Sequence, residues 1–421
     1  MKRYSEYKDS GVKWIGEIPR HWEISHIKHH SQFINGYAFD SKIFNNNNKG
    51  VKVIRIGNID GTLNYDTCIF ASIESNLIRQ FKTCKNDILI AMSGATIGKS
   101  CKVSEDDEAY INQRVGIIRC QCFSYMHYYI QAPLFRIFID INNAGCAQPN
   151  ISSSTIGNML FPIPPLNEQE AIVTYLDSKV AKIDEYISIA EKKIAALEEL
   201  KQTIIAEAVT RGIHKDVPMK DSGVKWIGMI PEHWKVNKIR SHFKERRVKV
   251  SDKDFQALSV AKIGIVPQLE DACKTDNGDN RKQVLKGDFV VNSRSDRKGS
   301  CGISPLDGSV SLINIVLRPF NILQEYVHYL FRSHNYIEEF YRNGRGIVAD
   351  LWTTRYSEMR NIQIPVPPLA EQQEIVNYIE AKVANINQLC QAERSQIEKL
   401  KEYKQRLISD VVTGKVKVTN D

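Results

Sequence analysis

The feature that most constrains this sequence is a long heptad pattern that begins after the pair Pro164-Pro165. Proline cannot occupy a helix interior, so this pair marks the point where a helix begins. Apolar residues then recur at alternating intervals of four and three as far as Thr210, which predicts one helix of about 43 residues, roughly 65 Å long. A helix with such a stripe needs a partner that buries it.

The chain supplies a second copy of this segment, shifted by 203 positions, from Pro367 to Thr413. Both copies open with Pro-Pro-Leu-x-Glu-Gln and end in Val-Thr, and in both a lysine interrupts the apolar seam (Lys201 and Lys404). Two matching helices in one chain predict that each buries the apolar stripe of the other in a coiled coil.

If the two helices run antiparallel, we expect a register in which Ile187 meets Leu400, Leu197 meets Cys390 and Ile194 meets Glu393. Glu393 departs from the apolar pattern of the first helix. Because burying an unpaired carboxylate costs several kcal/mol, we expect Glu393 near a lysine or at the margin of the seam.

A second duplicated element opens each half of the chain. Lys8 to Trp22 and Lys220 to Trp234 differ at two of fifteen positions, whereas the regions between these motifs and the long helices hardly align. The chain is therefore a tandem duplication in which a constant frame surrounds two divergent inserts. Such a design predicts two modules with the same task and different targets.

The inserts alternate strand-like runs with turn signals, as in Val51–Asn58, Asp87–Met92, Val115–Arg119, Phe289–Asn292 and Leu312–Leu317. We therefore predict an α+β protein. Two α/β modules with mostly antiparallel sheets are separated by two long coiled-coil helices, in an internal tandem repeat with pseudo-twofold symmetry. The predicted boundaries are 1–162 and 213–365 for the modules and 163–212 and 366–421 for the helices. Buried helices are expected over Tyr125–Ile141 and Glu325–Tyr341, and the polar tail after Thr413 is expected to fray.

Composition narrows the functional classes. The net charge is +8 and the pI is about 8.8, which suits a polyanionic partner. Nine cysteines form no CxxC pair, so free thiols in a reducing compartment are expected rather than disulfides. The sequence offers neither a secretory leader nor an apolar run long enough for a membrane. We therefore expect a cytoplasmic protein without membrane contact.

Motifs for catalysis are missing from the sequence. Ser93-Gly94-Ala95-Thr96-Ile97-Gly98-Lys99-Ser100 resembles a Walker A loop, but the first glycine is replaced by serine and an amphipathic helix does not follow. The segment is better interpreted as a tight turn at a strand edge that presents Ser93, Thr96 and Lys99 to phosphates and bases. Basic and polar residues cluster further in the second insert, notably around Asn292–Lys298 and Arg342–Arg355, and favour DNA as the partner.

The frame resembles that of the specificity (S) subunits of type I restriction-modification systems. The resemblance rests on Gly-Val-Lys-Trp-Ile-Gly-x-Ile-Pro-x-His-Trp at 11–22 and 223–234, on Pro-Pro-Leu-x-Glu-Gln at 164–169 and 367–372, and on the helix ends at 208–212 and 411–415. It covers nearly the whole chain.

This resemblance implies that each insert is a target recognition domain that reads one half of a bipartite, asymmetric double-stranded DNA site. It also implies that the two long coiled-coil helices run antiparallel and set the gap between the halves. Two methyltransferase subunits would dock on the chain and bring S-adenosylmethionine for adenine N6 methylation, and restriction subunits would add ATP- and Mg-dependent translocation and cleavage. The chain itself is expected to bind no cofactor or metal, to carry no catalytic residue, and to act in a bacterial or archaeal cytoplasm.

Candidate residues follow for the two roles. The DNA-binding candidates are Arg55, Ser93, Thr96, Lys99, Gln113, Arg114, Gln148, Asn150, Arg246, Arg247, Lys262, Asn292, Arg294, Arg297, Lys298, Arg345, Thr353, Thr354 and Arg355. The candidates for helix pairing and partner docking are Glu168, Gln169, Ile183, Ile187, Ile194, Leu197, Glu371, Gln372, Ile386, Ile397 and Leu400.

Three alternatives remain open at this level. A coiled-coil scaffold with two protein-binding modules would share the frame, but the basic inserts argue against it. An S subunit without its methyltransferase partner would have the same sequence features. A nuclease with a divergent site is disfavoured, because clusters of carboxylates or nucleophiles are missing.

Overall fold

The structure is a computed structural model that describes residues 2–45, 47–105, 108–143, 149–214, 216–268, 278–346 and 352–419. The chain divides into two compact units. Unit 1 comprises Met1–Ala190 and Ser395–Asp421, and unit 2 comprises Glu191–Arg394. Each unit thus contains one insert, one frame motif and one segment of each long helix. The predicted domain boundaries, which treat each helix as a separate domain, stay a prediction.

Unit 1 is built on two four-stranded sheets. Its strands are β1 (Tyr7–Asp9), β2 (Glu17–Pro19), β3 (Glu23–His26), β4 (Ser31–Asn35), β5 (Phe44–Asn45), β6 (Val51–Ile54), β7 (Ile59–Asp60), β8 (Thr62–Leu63), β9 (Ile69–Ala71), β10 (Ile88–Ala91), β11 (Ser100–Lys102), β12 (Ala109–Ile111), β13 (Val115–Cys120) and β14 (Leu160–Ile163). The first sheet has the order β11-β10-β13-β4 and is antiparallel throughout. The second has the order β12-β6-β9-β5, with β12 parallel to β6. Strands β10 and β13 are buried along most of their length, so they form the centre of the module.

The helices of unit 1 are α1 (Phe123–Gln131), α2 (Pro133–Asn142), α3 (Ser153–Gly157) and the first part of α4 (Leu166–Arg211). The single helix predicted over Tyr125–Ile141 is therefore wrong. Ala132 is extended, with ψ 149°, because the residue before a proline disfavours the helical region. Pro133 then begins a new helix at its first position, where its missing N–H costs nothing.

Unit 2 repeats this plan. Its strands are β15 (Met219–Asp221), β16 (Met229–Pro231), β17 (Lys235–Lys238), β18 (Phe243–Glu245), β19 (Lys249–Val250), β20 (Leu258–Ala261), β21 (Gly264–Pro267), β22 (Arg281–Val284), β23 (Phe289–Asn292), β24 (Cys301–Ile303), β25 (Gly308–Val310), β26 (Asn314–Pro319) and β27 (Gln363–Val366). The central sheet has the order β18-β26-β23-β24, which matches β4-β13-β10-β11 of unit 1. A three-stranded sheet, β19-β22-β25, takes the second position.

The helices of unit 2 are α5 (Gln324–Arg332), α6 (His334–Arg342), α7 (Tyr356–Met359) and part of α8 (Leu369–Val412). The predicted helix over Glu325–Tyr341 is again two helices, because Ser333 is extended between them. Its hydroxyl donates to the Leu330 carbonyl, 2.7 Å away, and so satisfies a carbonyl at the end of α5. The predicted α+β class with duplicated element order and two long helices is confirmed.

The long helices pair antiparallel within each unit. The seam residues Ile183, Ile187, Ile386 and Ile397 are buried, and Ile194, Leu197 and Leu400 are half-buried. In unit 2, Lys193 donates to Glu393 at 2.5 Å, which confirms the lysine expected beside that carboxylate. These residues fit the predicted register.

The lysines that interrupt the two seams have matching roles. Lys404 donates to both carboxylate oxygens of Asp184 in unit 1, at 2.6 and 2.7 Å. In unit 2, Lys201 donates to the amide oxygen of Asn387 at 3.2 Å. Asp184 and Asn387 occupy the same position of the two repeats, so both interruptions of the apolar pattern are cross-helix polar contacts. Such contacts favour one register over its neighbours.

The Glu-Gln pairs at the start of the long helices make contacts within their own unit, the glutamates to the segment that opens each half of the chain and the glutamines to a proline before each helix. Glu168 accepts hydrogen bonds from the Trp22 indole (3.1 Å) and the Tyr4 hydroxyl (2.8 Å), and Glu371 accepts one from the Trp234 indole (3.0 Å). Gln169 and Gln372 donate to the carbonyls of Pro164 and Pro367, each at 2.8 Å. The two glutamates thus hold each frame motif on its helix, and the two glutamines bond the segment that precedes it; a role of these four side chains in partner docking stays a prediction.

The ends of the helices close against the same motifs. Gly414, with φ +72°, lies against Pro19 and Trp22, and the Tyr7 hydroxyl donates to its carbonyl at 3.0 Å. Lys417 N–H donates to the Lys2 carbonyl at 3.0 Å. The expected fraying after Thr413 is therefore wrong as far as Lys417, because the motif residues bind the tail. Within the described part of the chain, we find no helix with the length and apolarity that a membrane crossing requires.

The environment of Glu168 gives a pH prediction. Burial alone would raise the pKa of this carboxyl, but hydrogen bonds from Tyr4, His21 and Trp22 outweigh burial and lower it below 4.5. A carboxyl whose pKa is lower in the folded state stabilises the protein at pH values above its unfolded-state pKa. This stabilisation is lost as the pH falls through the folded-state pKa. We expect Glu168→Gln to lower the urea midpoint at about pH 6 and to lose less stability than the wild type on acidification below about pH 4.5. Glu170→Gln, an exposed neighbour on the same helix, is the control; equal acid sensitivity of both variants would contradict the prediction.

Candidate nucleic-acid interface

In unit 1 the turn after strand β10 contains several candidates. A 3-10 turn over Gly94–Thr96 follows Ser93, and Ser93 forms a β-bridge with Asn150. Gly94 N–H donates to the Pro149 carbonyl at 3.0 Å. The structure thus brings Ser93 and Asn150 together from distant parts of the insert. Gln148, next to this contact in sequence, lies outside the described residues.

A second turn lies beside the first. Gln113 and Arg114 are the central residues of a turn closed by the bond from Val115 N–H to the Asn112 carbonyl (2.8 Å). Met92 N–H donates to the Arg114 carbonyl (2.9 Å), and Asn112 N–H donates to the carbonyl of Ile54, which precedes Arg55. Arg55, Gln113 and Arg114 are exposed. Together with Ser93 and Asn150, they form what we call the unit 1 turn cluster.

Thr96 is the last residue of the 3-10 turn, and Lys99 follows it before strand β11. The Thr96 hydroxyl donates to the Ser93 carbonyl at 3.5 Å, and the Lys99 ammonium is 2.8 Å from the exposed Asp60 carboxylate. Strand β11 follows, so the expected tight turn is confirmed and the segment lacks the helix N-terminus of a Walker A loop.

Unit 2 repeats this arrangement with different side chains. Asn292 ends β23, and a 3-10 turn over Ser295–Arg297 follows. Arg294 and Arg345 each form a β-bridge with Thr353, which corresponds to Asn150 of unit 1. Asn292, Arg294, Arg297, Lys298, Arg345 and Thr353 form the unit 2 turn cluster.

Three cations of the unit 2 turn cluster have exposed partners. Arg294 and Arg297 lie 3.4 and 3.7 Å from Asp296, and Lys298 lies 2.6 Å from Glu338. Exposed ion pairs of this kind contribute about 0–1 kcal/mol, so these three cations can exchange a carboxylate for a phosphate at little cost. Arg345 lies 3.8 Å from Glu358, whose side chain is only 15% exposed.

Two candidates form their hydrogen bonds inside the protein. Arg246 donates through Nε and Nη2 to both oxygens of Asp288, at 2.6 and 3.1 Å, and the two side chains are 17% and 3% exposed. Thr354 is buried, and its hydroxyl donates to the Phe340 carbonyl at 3.0 Å. This bonding occupies the groups expected to contact DNA, so we leave both residues out of the proposed interface.

Three further candidates lie outside the turn contacts. Arg247 is exposed and lies 2.6 Å from Glu245. Arg355 begins α7, where its N–H donates to Glu358 at 3.1 Å. Lys262 is at the tip of the β20–β21 hairpin, and its carbonyl accepts from Arg332 at 2.6 Å. The structure therefore does not place these three in the bridged turns themselves.

The sequence reading missed Leu312 and Ile313. They occupy the place in unit 2 that Gln113 and Arg114 occupy in unit 1, as the central residues of a turn closed by Asn314 N–H and the Ser311 carbonyl (3.0 Å). Both are exposed. Their apolar character suggested a strand, and only the pairing of β23 with β26 reveals the equivalence.

Two half-buried histidines add no charge to these surfaces. His127 and His328 occupy the same position of α1 and α5, and burial lowers the pKa of each to about 4. Both are therefore neutral at physiological pH. Among the described residues, the structure contains no group of three or more histidine, cysteine or acidic side chains that could hold a metal ion.

Comparison with known proteins agrees with this arrangement. Residues 19–199 and 235–399 match the family "Type I restriction modification DNA specificity domain". The EcoBI specificity subunit of Escherichia coli is 24% identical, covering 91% of this chain and 83% of its own length. The putative MjaX specificity subunit of Methanocaldococcus jannaschii is 25% identical, covering 98% of both chains.

Solved structures share the fold. A chain from a structure concerned with complex assembly and conformational transition of the type I R-M system has a TM-score of 0.66 at 15% identity, covering 94% of this chain and 98% of its own. The HsdS subunit of Thermoanaerobacter tengcongensis has a TM-score of 0.50 at 16% identity, covering 95% and 98%. The family match covers most of the sequence, in both halves. The chain therefore belongs to the family of type I restriction-modification specificity subunits.

Proposed function

We propose that the chain recognises a bipartite DNA site, with the turn cluster of each unit reading one half. The observation that carries this proposal is the repetition of one backbone arrangement with different side chains. In both units the segment after the central strand is bridged to a distant residue, Asn150 or Thr353. The unit 1 turn cluster combines two arginines with serine, glutamine and asparagine, whereas the unit 2 turn cluster has four cations with asparagine and threonine, so the two halves should differ in sequence.

The chain would serve two copies of one methyltransferase partner. In support, exposed apolar residues recur at equivalent positions of the long helices. The pairs are Leu166 and Leu369, Tyr186 and Leu389, and Leu200 and Tyr403. Repeated apolar patches of this kind suit two copies of the same protein. We assign S-adenosylmethionine and adenine N6 methylation to that partner, and ATP- and Mg-dependent cleavage to restriction subunits. The complex would act in the cytoplasm of a bacterium or archaeon.

The direct test is long-read detection of N6-methyladenine in cells that express the chain with its methyltransferase partner, compared with cells that express the partner alone. A new split motif with one methylated adenine in each half, on opposite strands, is expected. A soluble complex that methylates no new motif would count against DNA recognition and in favour of a protein scaffold.

Salt dependence tests the cations of unit 2. Each phosphate contact contributes about 0.9 to the slope of log Kd against log salt concentration. If Arg294 and Arg297 both contact phosphate, the double alanine variant should reduce this slope by about 1.8. Lys286→Ala is the matched control, because this exposed lysine lies in the turn at the opposite end of β23. Equal slopes for the wild type and the double variant would remove these arginines from the interface.

A further inference from the structure

Leu312 and Ile313 form an exposed apolar turn within a basic surface. They are 39% and 38% exposed. Two neighbouring aliphatic residues are unusual at the centre of a tight turn, where glycine, asparagine, aspartate and serine prevail. Single exposed apolar residues are normal on protein surfaces, but this pair lies next to the unit 2 turn cluster.

The turn is held firmly from two sides. The Ser293 hydroxyl donates to the Ile313 carbonyl at 2.6 Å, and the Lys282 ammonium donates to the Asn314 carbonyl at 2.7 Å. Ser293 immediately precedes Arg294 of the unit 2 turn cluster. The two aliphatic side chains are thus presented by a fixed backbone beside the proposed reading residues, which reduces the entropy lost on binding.

The surroundings carry positive charge. Leu312 and Ile313 line a cavity of about 550 Å³ together with Arg247, Lys282, Arg355 and Thr353. The carboxylate in this lining, Glu245, is paired with Arg247 at 2.6 Å and with Lys282 at 3.6 Å. The exposed cations Arg247 and Arg355 beside this apolar turn suit a ligand with phosphates at its edge and an apolar group at its centre.

The equivalence with unit 1 indicates what that apolar group is. Gln113 and Arg114, at the same turn, have the hydrogen-bonding groups that read base edges. Leucine and isoleucine cannot donate or accept such bonds. Among the groups that B-DNA displays in the major groove, the thymine 5-methyl is the one that aliphatic side chains contact favourably.

We propose that Leu312 and Ile313 are specificity-determining residues of unit 2 that recognise the 5-methyl group of thymine in the second half-site. The proposal rests on the proposed function, because it requires that unit 2 reads DNA. It assigns the exposed side chains of Arg247 and Arg355 to the backbone phosphates around that base. Arg247 and Arg355 thereby regain a place at the interface, next to the turn cluster and not within it.

The test uses the complex with the methyltransferase partner and duplex probes that carry the methylated motif found by sequencing. In one probe each thymine of the second half-site is replaced by deoxyuridine, which removes only the methyl group. We expect wild-type affinity to fall about fourfold for each contacted methyl. The Leu312→Ala/Ile313→Ala variant should bind the thymine probe more weakly and should not distinguish the two probes.

Two controls separate the possible outcomes. Ile263→Ala changes an aliphatic residue of the same unit that is 76% exposed and lies outside the cavity; it should retain the wild-type preference for thymine. Deoxyuridine in the first half-site should affect the wild type and the Leu312/Ile313 variant equally.

Other results would overturn the proposal. If the wild type binds both second-half probes equally, the turn does not read the methyl group. If the wild type is instead insensitive to deoxyuridine while 2-aminopurine placed beside that thymine position fluoresces brightly, the turn inserts between bases as a wedge. If the wild type does not bind even the thymine probe specifically, the proposed function itself fails. Deoxyuridine in the first half-site would then also have no effect, which distinguishes this result from a failure of the methyl-recognition proposal alone.

Discussion

Replacing Arg246 by alanine is expected to lower the free energy of unfolding of unit 2 by about 3–5 kcal/mol, because it leaves the Asp288 carboxylate buried without a cation. Among the described residues, the Asp288 carboxylate would keep the 2.9 Å bond from Leu285 N–H to Oδ2. For a unit of this size, such a loss corresponds to a fall in Tm of roughly 6–20 °C. Thermal and urea unfolding of the intact chain would measure it.

Arg247→Ala is the matched control for this prediction. Arg247 is the next residue in the chain and also pairs with a glutamate, but its side chain is 76% exposed. Loss of so exposed a pair should leave the unfolding transition close to that of the wild type, because solvent screens the attraction. If Arg246→Ala left stability unchanged and instead weakened DNA binding, the expectation from sequence that Arg246 contacts DNA would be restored.

A second variant separates the charge from the packing. Replacing both members of a buried ion pair by apolar residues is often close to neutral, so Arg246→Met with Asp288→Leu should recover much of the lost stability. The non-additivity of the two single substitutions then gives the coupling energy. Additive losses would show that the two side chains act independently.

The ion pair also shows why a cluster of arginines is difficult to interpret from sequence. In unit 1 the equivalent aspartate, Asp87, is bound by Arg119 from β13, through Nε and Nη2 at 2.8 and 2.7 Å. In unit 2 the arginine comes from the segment after β18 instead. The two units satisfy the same buried carboxylate from different neighbouring strands, so neither arginine could be assigned by aligning the repeats.

The constant frame was predictable because its signals are local and repeated. The proline pairs, the heptad seam and the duplicated motif each have one physical interpretation, and the expected partner of Glu393 followed from the cost of burying a charge. The helix breaks at Ala132 and Ser333 were missed because the apolar pattern continues across them. The role of Glu168 and Glu371 was missed because their partners, Trp22 and Trp234, lie more than 130 positions away.

The candidate interface was only partly predictable. Side-chain chemistry singled out Ser93, Asn150, Arg294 and Thr353, but their approach in pairs depends on bridges between distant segments. Leu312 and Ile313 have no polar side-chain group that would mark them as binding residues in the sequence. Their significance comes from the strand register, which places them in the turn that holds Gln113 and Arg114 in the other unit.

Lengthening both long helices by one heptad is expected to change the methylated motif by widening its gap, while both half-sites stay the same. The insertions belong between Lys192 and Lys193 and between Arg394 and Ser395. There they preserve the pairs Lys193–Glu393, Lys201–Asn387 and Lys404–Asp184, and a seven-residue insertion keeps the apolar seam in phase. Seven residues add about 10.5 Å, which is close to three base pairs at roughly 3.4 Å each.

The helical rotation of DNA predicts a second effect of these insertions, on the rate of methylation. Three added base pairs turn the second half-site by nearly a third of a helical repeat, so methylation should also weaken. Three heptads add about 31 Å, almost the 34–36 Å of a full DNA turn; they should widen the gap by about nine base pairs and restore much of the rate.

A heptad inserted into α4 alone is the control, since it shifts the seam of one helix past the other and should abolish methylation. An unchanged gap after insertion into both helices would contradict the spacer role, because a helix pair that sets the gap cannot grow without moving the half-sites apart.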